Sequence, residues 1–270
     1  MLRFLFIFAL ILGCTVNPNI SKNIIENRGQ FLLPVDSIIF QDPIVDFFLQ
    51  DNGTIFLLDH GLQKIFVLRN GNSAKIDTII LPQKLYFIKG LTADDFFIYL
   101  YSNNNLYRYD PVSQNILNLI QPKDGIKIND LALTQQGEIF ISDNLNNKIF
   151  QINSLGQITD SKITIKDRFV PSGIWDDKSS SQLLVVNAAQ HRIEVYSRIG
   201  NLDSIIPLPI QNYSRIAIDN KYIYLLSDQD LFRLENNEIN HLTSSVINFQ
   251  LSKNWLVTLS IDRKLYFYSK

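Results

Sequence analysis

Apolar positions along this chain follow a two-residue alternation that recurs at a near-constant interval. Six segments share one pattern, a polar residue, an aliphatic residue and then alternating side chains that are mostly aromatic or aliphatic. They are Lys64-Ile-Phe-Val-Leu68, Asn105-Leu-Tyr-Arg-Tyr109, Lys148-Ile-Phe-Gln-Ile152, Arg192-Ile-Glu-Val-Tyr196, Asp230-Leu-Phe-Arg-Leu234 and Lys264-Leu-Tyr-Phe-Tyr268. Alternation of this composition is strand chemistry. From Ile65 to Leu265 the pattern covers 200 residues in five steps, a mean of 40.

A second column lies just upstream, where six apolar strands each end in a short polar residue: Asp59, Ser102, Asp143, Asn187, Ser227 and Ser260. Such side chains hydrogen-bond the backbone two residues on and start turns, so six copies of one hairpin account for them. Upstream again, short apolar first strands are predicted at residues 45–49, 87–91, 128–133, 173–175, 215–218 and 247–251. They are followed by turns carrying Asp51-Asn52-Gly53, Asp94-Asp95, Gln135-Gln136-Gly137, Asp176-Asp177 and Asp219-Asn220. The paired carboxylates in these turns are explained by turn propensity without acid–base chemistry.

A repeat of roughly 40–50 residues with four strands each is the signature of a propeller blade. The expected fold is all-β, a six-bladed β-propeller of four-stranded blades with blades starting near residues 43, 86, 127, 171, 213 and 246. The last copy ends at Lys270 after three strands. Residues 31–40 are expected to return from the N-terminal side as the missing outer strand, where Pro34 is tolerated because an outermost strand has a free edge.

The third and fourth repeats resemble the NHL family of propellers. Pro171-Ser172-Gly173-Ile174 is similar to that family's repeat opening, Asp143-Asn-Leu-Asn146-Asn-Lys148-Ile149 to its turn-plus-strand signature, and residues 187–193 repeat the latter more loosely. The resemblance spans residues 43–270, although the other copies lack the proline, most glycines or the asparagine.

The chain of 270 residues is 46% hydrophobic and 19% charged with a formal net charge of −1, an ordinary globular balance. No basic excess is present to neutralise a phosphate backbone, so nucleic acid is not an expected partner. At the N-terminus, Arg3 precedes an unbroken apolar stretch from Phe4 to Leu12. Nine residues are too few to span a bilayer, for which about 20 are needed, and read as a secretory signal. Ile11-Leu12-Gly13-Cys14 resembles a bacterial lipobox, with Ile11 where Leu is commoner. The resemblance implies a signal peptide at 1–13 and lipidation of Cys14, with residues 14–30 expected as a tether before the propeller that the repeat places at 31–270. It also implies an exported, membrane-anchored lipoprotein of the cell envelope, periplasm-facing, with Thr15 similar to outer-membrane sorting signals. Cys14 is the sole cysteine, so no disulfide is available.

Propellers bind at the channel, where residues near the start of each innermost strand converge. The repeat brings together Asp46, Lys89 or Gly90, Asp130, Gly173, Arg215 and Asn248. Two acids and an asparagine supply oxygens of the kind Ca²⁺ takes, in numbers of about 6–8. That set is similar to the gluconolactonase and senescence-marker-protein family, six-bladed propellers that hydrolyse lactones with a channel metal and use a glutamate from the first blade. Here the first blade has Asp46, and the fixed cations Arg215 and Lys89 repel a divalent ion. Two other readings are that the four charges pair and shut the channel, or that they bind a polar ligand with Arg215 as a fork. His60, His191 and His241 share no ligand spacing, and no phosphate loop, nucleophile elbow or zinc-protease motif occurs. The expected function is a non-catalytic, lipid-anchored propeller without a cofactor, binding an envelope protein or a small polar ligand; the alternative is a calcium lactonase or esterase.

Overall fold

The structure is a computed structural model that describes residues 34–61, 63–69, 76–153, 156–160, 163, 168–178, 180–208, 213–219, 222–235, 238–252 and 254–269, and the backbone of 14–15. Strands β1 (Cys14–Thr15) and β2 (Asp36–Phe40) come first in the chain but belong to the last blade. Blade 1 is β3 (Ile44–Leu49), β4 (Ile55–Asp59), β5 (Lys64–Leu68) and β6 (Ile76–Ile80). Blade 2 is β7 (Gly90–Ala93), β8 (Ile98–Tyr101), β9 (Leu106–Asp110) and β10 (Asn115–Ile120). Blade 3 is β11 (Asp130–Leu133), β12 (Ile139–Asp143), β13 (Lys148–Ile152) and β14 (Ile158–Asp160). Blade 4 is β15 (Pro171–Asp177), β16 (Gln182–Asn187), β17 (Arg192–Ser197) and β18 (Leu202–Pro207). Blade 5 is β19 (Tyr213–Ile218), β20 (Ile223–Ser227), β21 (Asp230–Glu235) and β22 (Glu238–Thr243). Blade 6 runs β23 (Val246–Leu251), β24 (Trp255–Ser260), β25 (Lys264–Ser269), then β2 and β1.

The chain is therefore a six-bladed β-propeller, each blade an antiparallel meander. Residues 36–40 close the ring as expected, pairing antiparallel with β25 from Asp36 opposite Phe267 to Ile39 opposite Lys264. Val35 N–H donates to Phe267 O at 2.7 Å, extending the ladder back toward Pro34. Residues 31–33 and the signal segment 1–13 lie outside the described residues. Cys14 and Thr15 pair with Phe40 and Ile39 at the outer rim of the same blade.

Alternating side chains leave each sheet with two apolar faces, and each face must be covered by the neighbouring blade. The core is accordingly divided into six clusters, one at every junction between blades. Ile38, Phe40, Phe47, Leu57 and Leu259 join blades 6 and 1, and Leu58, Ile65, Leu91 and Leu100 join 1 and 2. The corresponding joints are Tyr101, Ile128 and Ile141 for blades 2 and 3, Phe140, Ile174 and Val185 for 3 and 4, Val186, Ile216 and Leu225 for 4 and 5, and Tyr224, Leu226 and Phe249 for 5 and 6.

The polar column between second and third strands is buried and starts turns, as its spacing predicts. Asp59 Oδ1 accepts from Gln63 N–H at 3.1 Å and Lys64 N–H at 2.9 Å. Asp143 accepts from Leu145 and Asn146 N–H at 2.9 Å each, and its other oxygen takes Lys127 N–H at 2.9 Å. Ser102 and Ser260 receive backbone N–H groups from their own turns in the same way.

Two first strands start later than their apolar content predicts. The second begins at Gly90 rather than Phe87, because Phe87 has a φ of 58° and is 88% exposed, so the run 85–88 forms a loop. The third begins at Asp130 rather than Ile128. The fourth is longer than expected, reaching from Pro171 to Asp177.

Phe40 is 2% exposed and packs in the cluster that seals blade 6 to blade 1. Phe40→Ala is expected to lower unfolding stability by about 3–5 kcal/mol, read as a shift of the urea midpoint. Val112→Ala, at a position 94% exposed, should leave the midpoint unchanged.

Candidate functional site

One layer of residues faces the channel near the start of the innermost strands, and register identifies its members. Each sits opposite the residue preceding the polar turn column: Asp46 opposite Leu58, Gly90 opposite Tyr101, Asp130 opposite Ser142, Gly173 opposite Val186, Arg215 opposite Leu226 and Asn248 opposite Leu259. In blades 1, 4, 5 and 6 the register slips by one residue just before this position. A bulge there re-aims the following side chain toward the axis. The sequence-derived set is thus a single ring, with Gly90 rather than Lys89 as the second blade's member.

The ring ties several of the blades together. Asp46 Oδ2 accepts from Leu91 N–H of blade 2 at 2.9 Å, and Asn248 Nδ2 of blade 6 donates to Asp46 Oδ1 and, at 3.2 Å, to Phe47 O. Asp130 takes Leu131 N–H at 2.9 Å and Ile174 N–H of blade 4 at 3.1 Å. Arg215 Nη2 lies 3.8 Å from Asp46 Oδ1, and its guanidinium also hydrogen-bonds the Tyr101 hydroxyl. Lys89, one residue outside the ring, donates from Nζ to Ile128 O at 2.7 Å and Asn129 O at 3.1 Å, which ties blade 2 to blade 3.

Burial dominates the electrostatics. Desolvation pushes the carboxyls of Asp46 and Asp130 above the usual carboxylate range, opposed chiefly by the field of Arg215. Desolvation likewise lowers the Lys89 ammonium, with Asp130 opposing. For Arg215 the two carboxylates and Tyr101 outweigh burial and hold the guanidinium firmly charged. Two carboxyls, an ammonium and a guanidinium thus act on one another around the axis.

Tyr101 was not among the residues singled out from sequence. A Cβ on Gly90 would stand 2.5 Å from the Tyr101 ring, so the glycine is required for this side chain to lie across the inner strand. The signal for it was present: a glycine at the channel position opposite an aromatic residue where the other second strands carry Leu, Ser or Val.

Beyond the ring the channel opens into a recess of about 880 Å³. Tyr101, Asp130 and Arg215 are at its inner end, and all six hairpins between first and second strands form its rim. Two rim acids behave as turn residues: Asp94 Oδ1 accepts from Phe96 and Phe97 N–H, and Asp219 from Tyr222 N–H. Asp176 is different, buried and paired with Arg198. Among the described residues no group of three or more His, Cys, Asp or Glu side chains converges as a metal site. His60 and His191 sit in turns, and His241 lies on the outer strand β22.

Fold and channel together define a six-bladed propeller with one end of its channel filled by paired charges. Solved structures similar to it include virginiamycin B lyase from Staphylococcus aureus, at 15% identity and a TM-score of 0.64, covering 87% of this chain and 98% of that one. A gluconolactonase from Xanthomonas campestris is similar at 12% identity and a TM-score of 0.64, over 90% of this chain and 95% of that one. YCF48 bound to D1 peptide is similar at 11% identity and a TM-score of 0.57, over 92% of this chain and 81% of that one. At such identities the likeness is one of fold. No family model and no curated protein matches the chain.

Replacing Arg215 by Met removes the central cation and leaves two buried carboxylates without it. The loss is expected to be about 3–5 kcal/mol at pH 7.5. Both carboxyls then rise further above their unfolded value near 4, so between that value and their folded pKa the native state holds more protons than the unfolded one. Stability therefore falls as pH rises through this window. Urea midpoints of Arg215→Met should lie closer to the parent's at pH 5 than at pH 7.5; an equal gap at both would show that the guanidinium does not compensate these acids.

Proposed function

We propose that this protein is a non-catalytic, lipid-anchored β-propeller of the cell envelope that binds an envelope protein or a small polar ligand at the open end of its channel. The observation that carries the reading is the asymmetry of the channel, charged groups paired among themselves at one end and a wide recess rimmed by six hairpins at the other. Recesses of this volume are the usual size of small-ligand sites.

The paired ring also bears on the calcium hydrolase alternative. Asp46 and Asp130 each accept backbone N–H groups on carboxylate oxygens, Asn248 donates its amide to Asp46, and Arg215 stands beside them. A divalent cation needs about 6–8 oxygens, and here it would have to displace these donors and face a fixed guanidinium. The gluconolactonase likeness in fold does not supply the missing oxygens. The peptide-bound YCF48 structure, by contrast, is a precedent for a similar propeller carrying a polypeptide ligand.

The position of Cys14 is compatible with anchoring. Its backbone lies at the outer rim of blade 6, paired with Phe40, so a lipid on this residue leaves the channel axis clear. The lipobox-like sequence before Cys14 supports cleavage and acylation there, and a periplasm-facing membrane location is part of the same proposal.

The test is a crosslinked pull-down of the tagged, lipidated protein from its native envelope. A stoichiometric protein partner, lost on mutation of the hairpin rim, is expected. Cys14→Ser should release the protein from membranes or leave it unprocessed, whereas unchanged retention would refute the anchor. Calcium should leave the melting temperature of the purified protein unchanged, because a ligand that binds the folded state must raise it; a rise abolished by Asp46→Ala would restore the hydrolase reading.

A further inference from the structure

Among the described residues, one ion pair crosses the open end of the recess. Lys178 Nζ donates to Asp51 Oδ2 at 2.7 Å. Asp51 belongs to the hairpin of blade 1 and Lys178 to that of blade 4, and these blades face each other in a ring of six, so the pair spans the opening. Its two side chains are 39% and 67% exposed. An ion pair this open to solvent is weak and exchanges readily.

The chemistry beneath the pair favours positive charge. Among the described residues lining the recess, seven aspartates stand against only Lys178 and Arg215, and Arg215 is engaged by Asp46 and Tyr101. One of the acids, Asp176, is buried and paired through Oδ1 with Arg198, while its Oδ2 has no hydrogen-bond partner. Phe48 and Trp175 line the recess as half-buried rings, together with the aliphatic side chains of Leu131 and Ile218. Aromatic faces attract a cation, and aliphatic walls accept the methylene stem that carries it.

We infer that this recess binds an alkylammonium group, the side chain of a lysine or a small aliphatic amine, which takes the place of Lys178 on Asp51. In the free protein Lys178 acts as an internal occupant: its ammonium satisfies Asp51 until the ligand's ammonium replaces it. The inference rests on the binding role proposed above for its location, but its chemistry is testable on purified protein without any envelope partner. Failure to find a partner in the envelope and failure of the recess to take amines are thus separate results.

Trp175 on the wall provides the signal. With Trp255→Phe as the background, Trp175 is the sole tryptophan, and its fluorescence is followed while hexylammonium, hexanoate or a capped Gly-Lys-Gly peptide is added. Hexylammonium is expected to give a saturable change that weakens with salt, and hexanoate, with the same hydrocarbon but opposite charge, none. Lys178→Ala should tighten hexylammonium binding about two- to five-fold, as expected for removing an exposed competitor pair, while Asp51→Asn should weaken it. Both substitutions are on exposed hairpins and should leave the melting temperature near the parent's. Tighter binding of the peptide than of hexylammonium assigns the site to a protein lysine; the reverse order assigns it to a free amine. Hexanoate binding as well as hexylammonium, or Lys178→Ala leaving affinity unchanged or lower, overturns the inference.

Discussion

Every other feature of this protein depends on closing the ring. A four-stranded blade has two apolar faces and cannot bury either alone, so each of the six clusters exists only because the next blade is present. The C-terminal repeat supplies three strands, and the fourth comes from the other end of the chain as β2. That single ladder between residues 36–39 and 264–267 turns five junctions into six. It carries main-chain hydrogen bonds and also brings Ile38 and Phe40 into the cluster shared with Phe47 and Leu57. Opening it would expose the first and last blades together.

Closure forces the six innermost strands to converge, and this sets the chemistry of the channel. Side chains at one register position meet around a small circumference, where water is largely excluded and an unpaired charge is costly. The structure meets that cost by using each polar group as a tie. Asp46 reaches blade 2, Asp130 reaches blade 4, Asn248 reaches blade 1 and Lys89 reaches blade 3. The charges that resembled a ligand set in the sequence therefore also tie blades together, as the apolar clusters do farther out. Carboxyls raised by burial and a guanidinium held charged by those same carboxyls are the expected electrostatics of such a plug.

Much of the architecture was legible because a propeller repeats its physics. The two-residue alternation, the polar turn column and the 40-residue interval are each visible without any contact between repeats, and together they located the closing strand and the ring around Asp46, Asp130, Arg215 and Asn248. What the pattern did not show was where apolar runs stop being strands. Phe87 is as strand-like in composition as Phe47, yet its φ of 58° places it in a loop, and no local preference announces that. Nor could the alternation choose between Lys89 and Gly90, since a one-residue slip in register decides it. Tyr101 was missed for a related reason: its role comes from a ring lying across a glycine on the adjacent strand, a relation between strands and not a property of either.

The same limit separates the site from its use. Turn chemistry explained the acids at the hairpins one by one, and the structure agrees for Asp94 and Asp219, whose carboxylates accept N–H groups of their own turns. Turn propensity contains no information about what six such turns do when brought to a common rim. Only the assembled ring shows Asp51 facing Lys178 across an opening, with aromatic walls below and charges beyond. Acids such as Asp94 and Asp219 are locally turn residues and collectively part of a field, because carboxylates spaced around one mouth add their potentials over distances comparable to the Debye length. An aspartate can therefore be fully accounted for by its own turn and still contribute to binding.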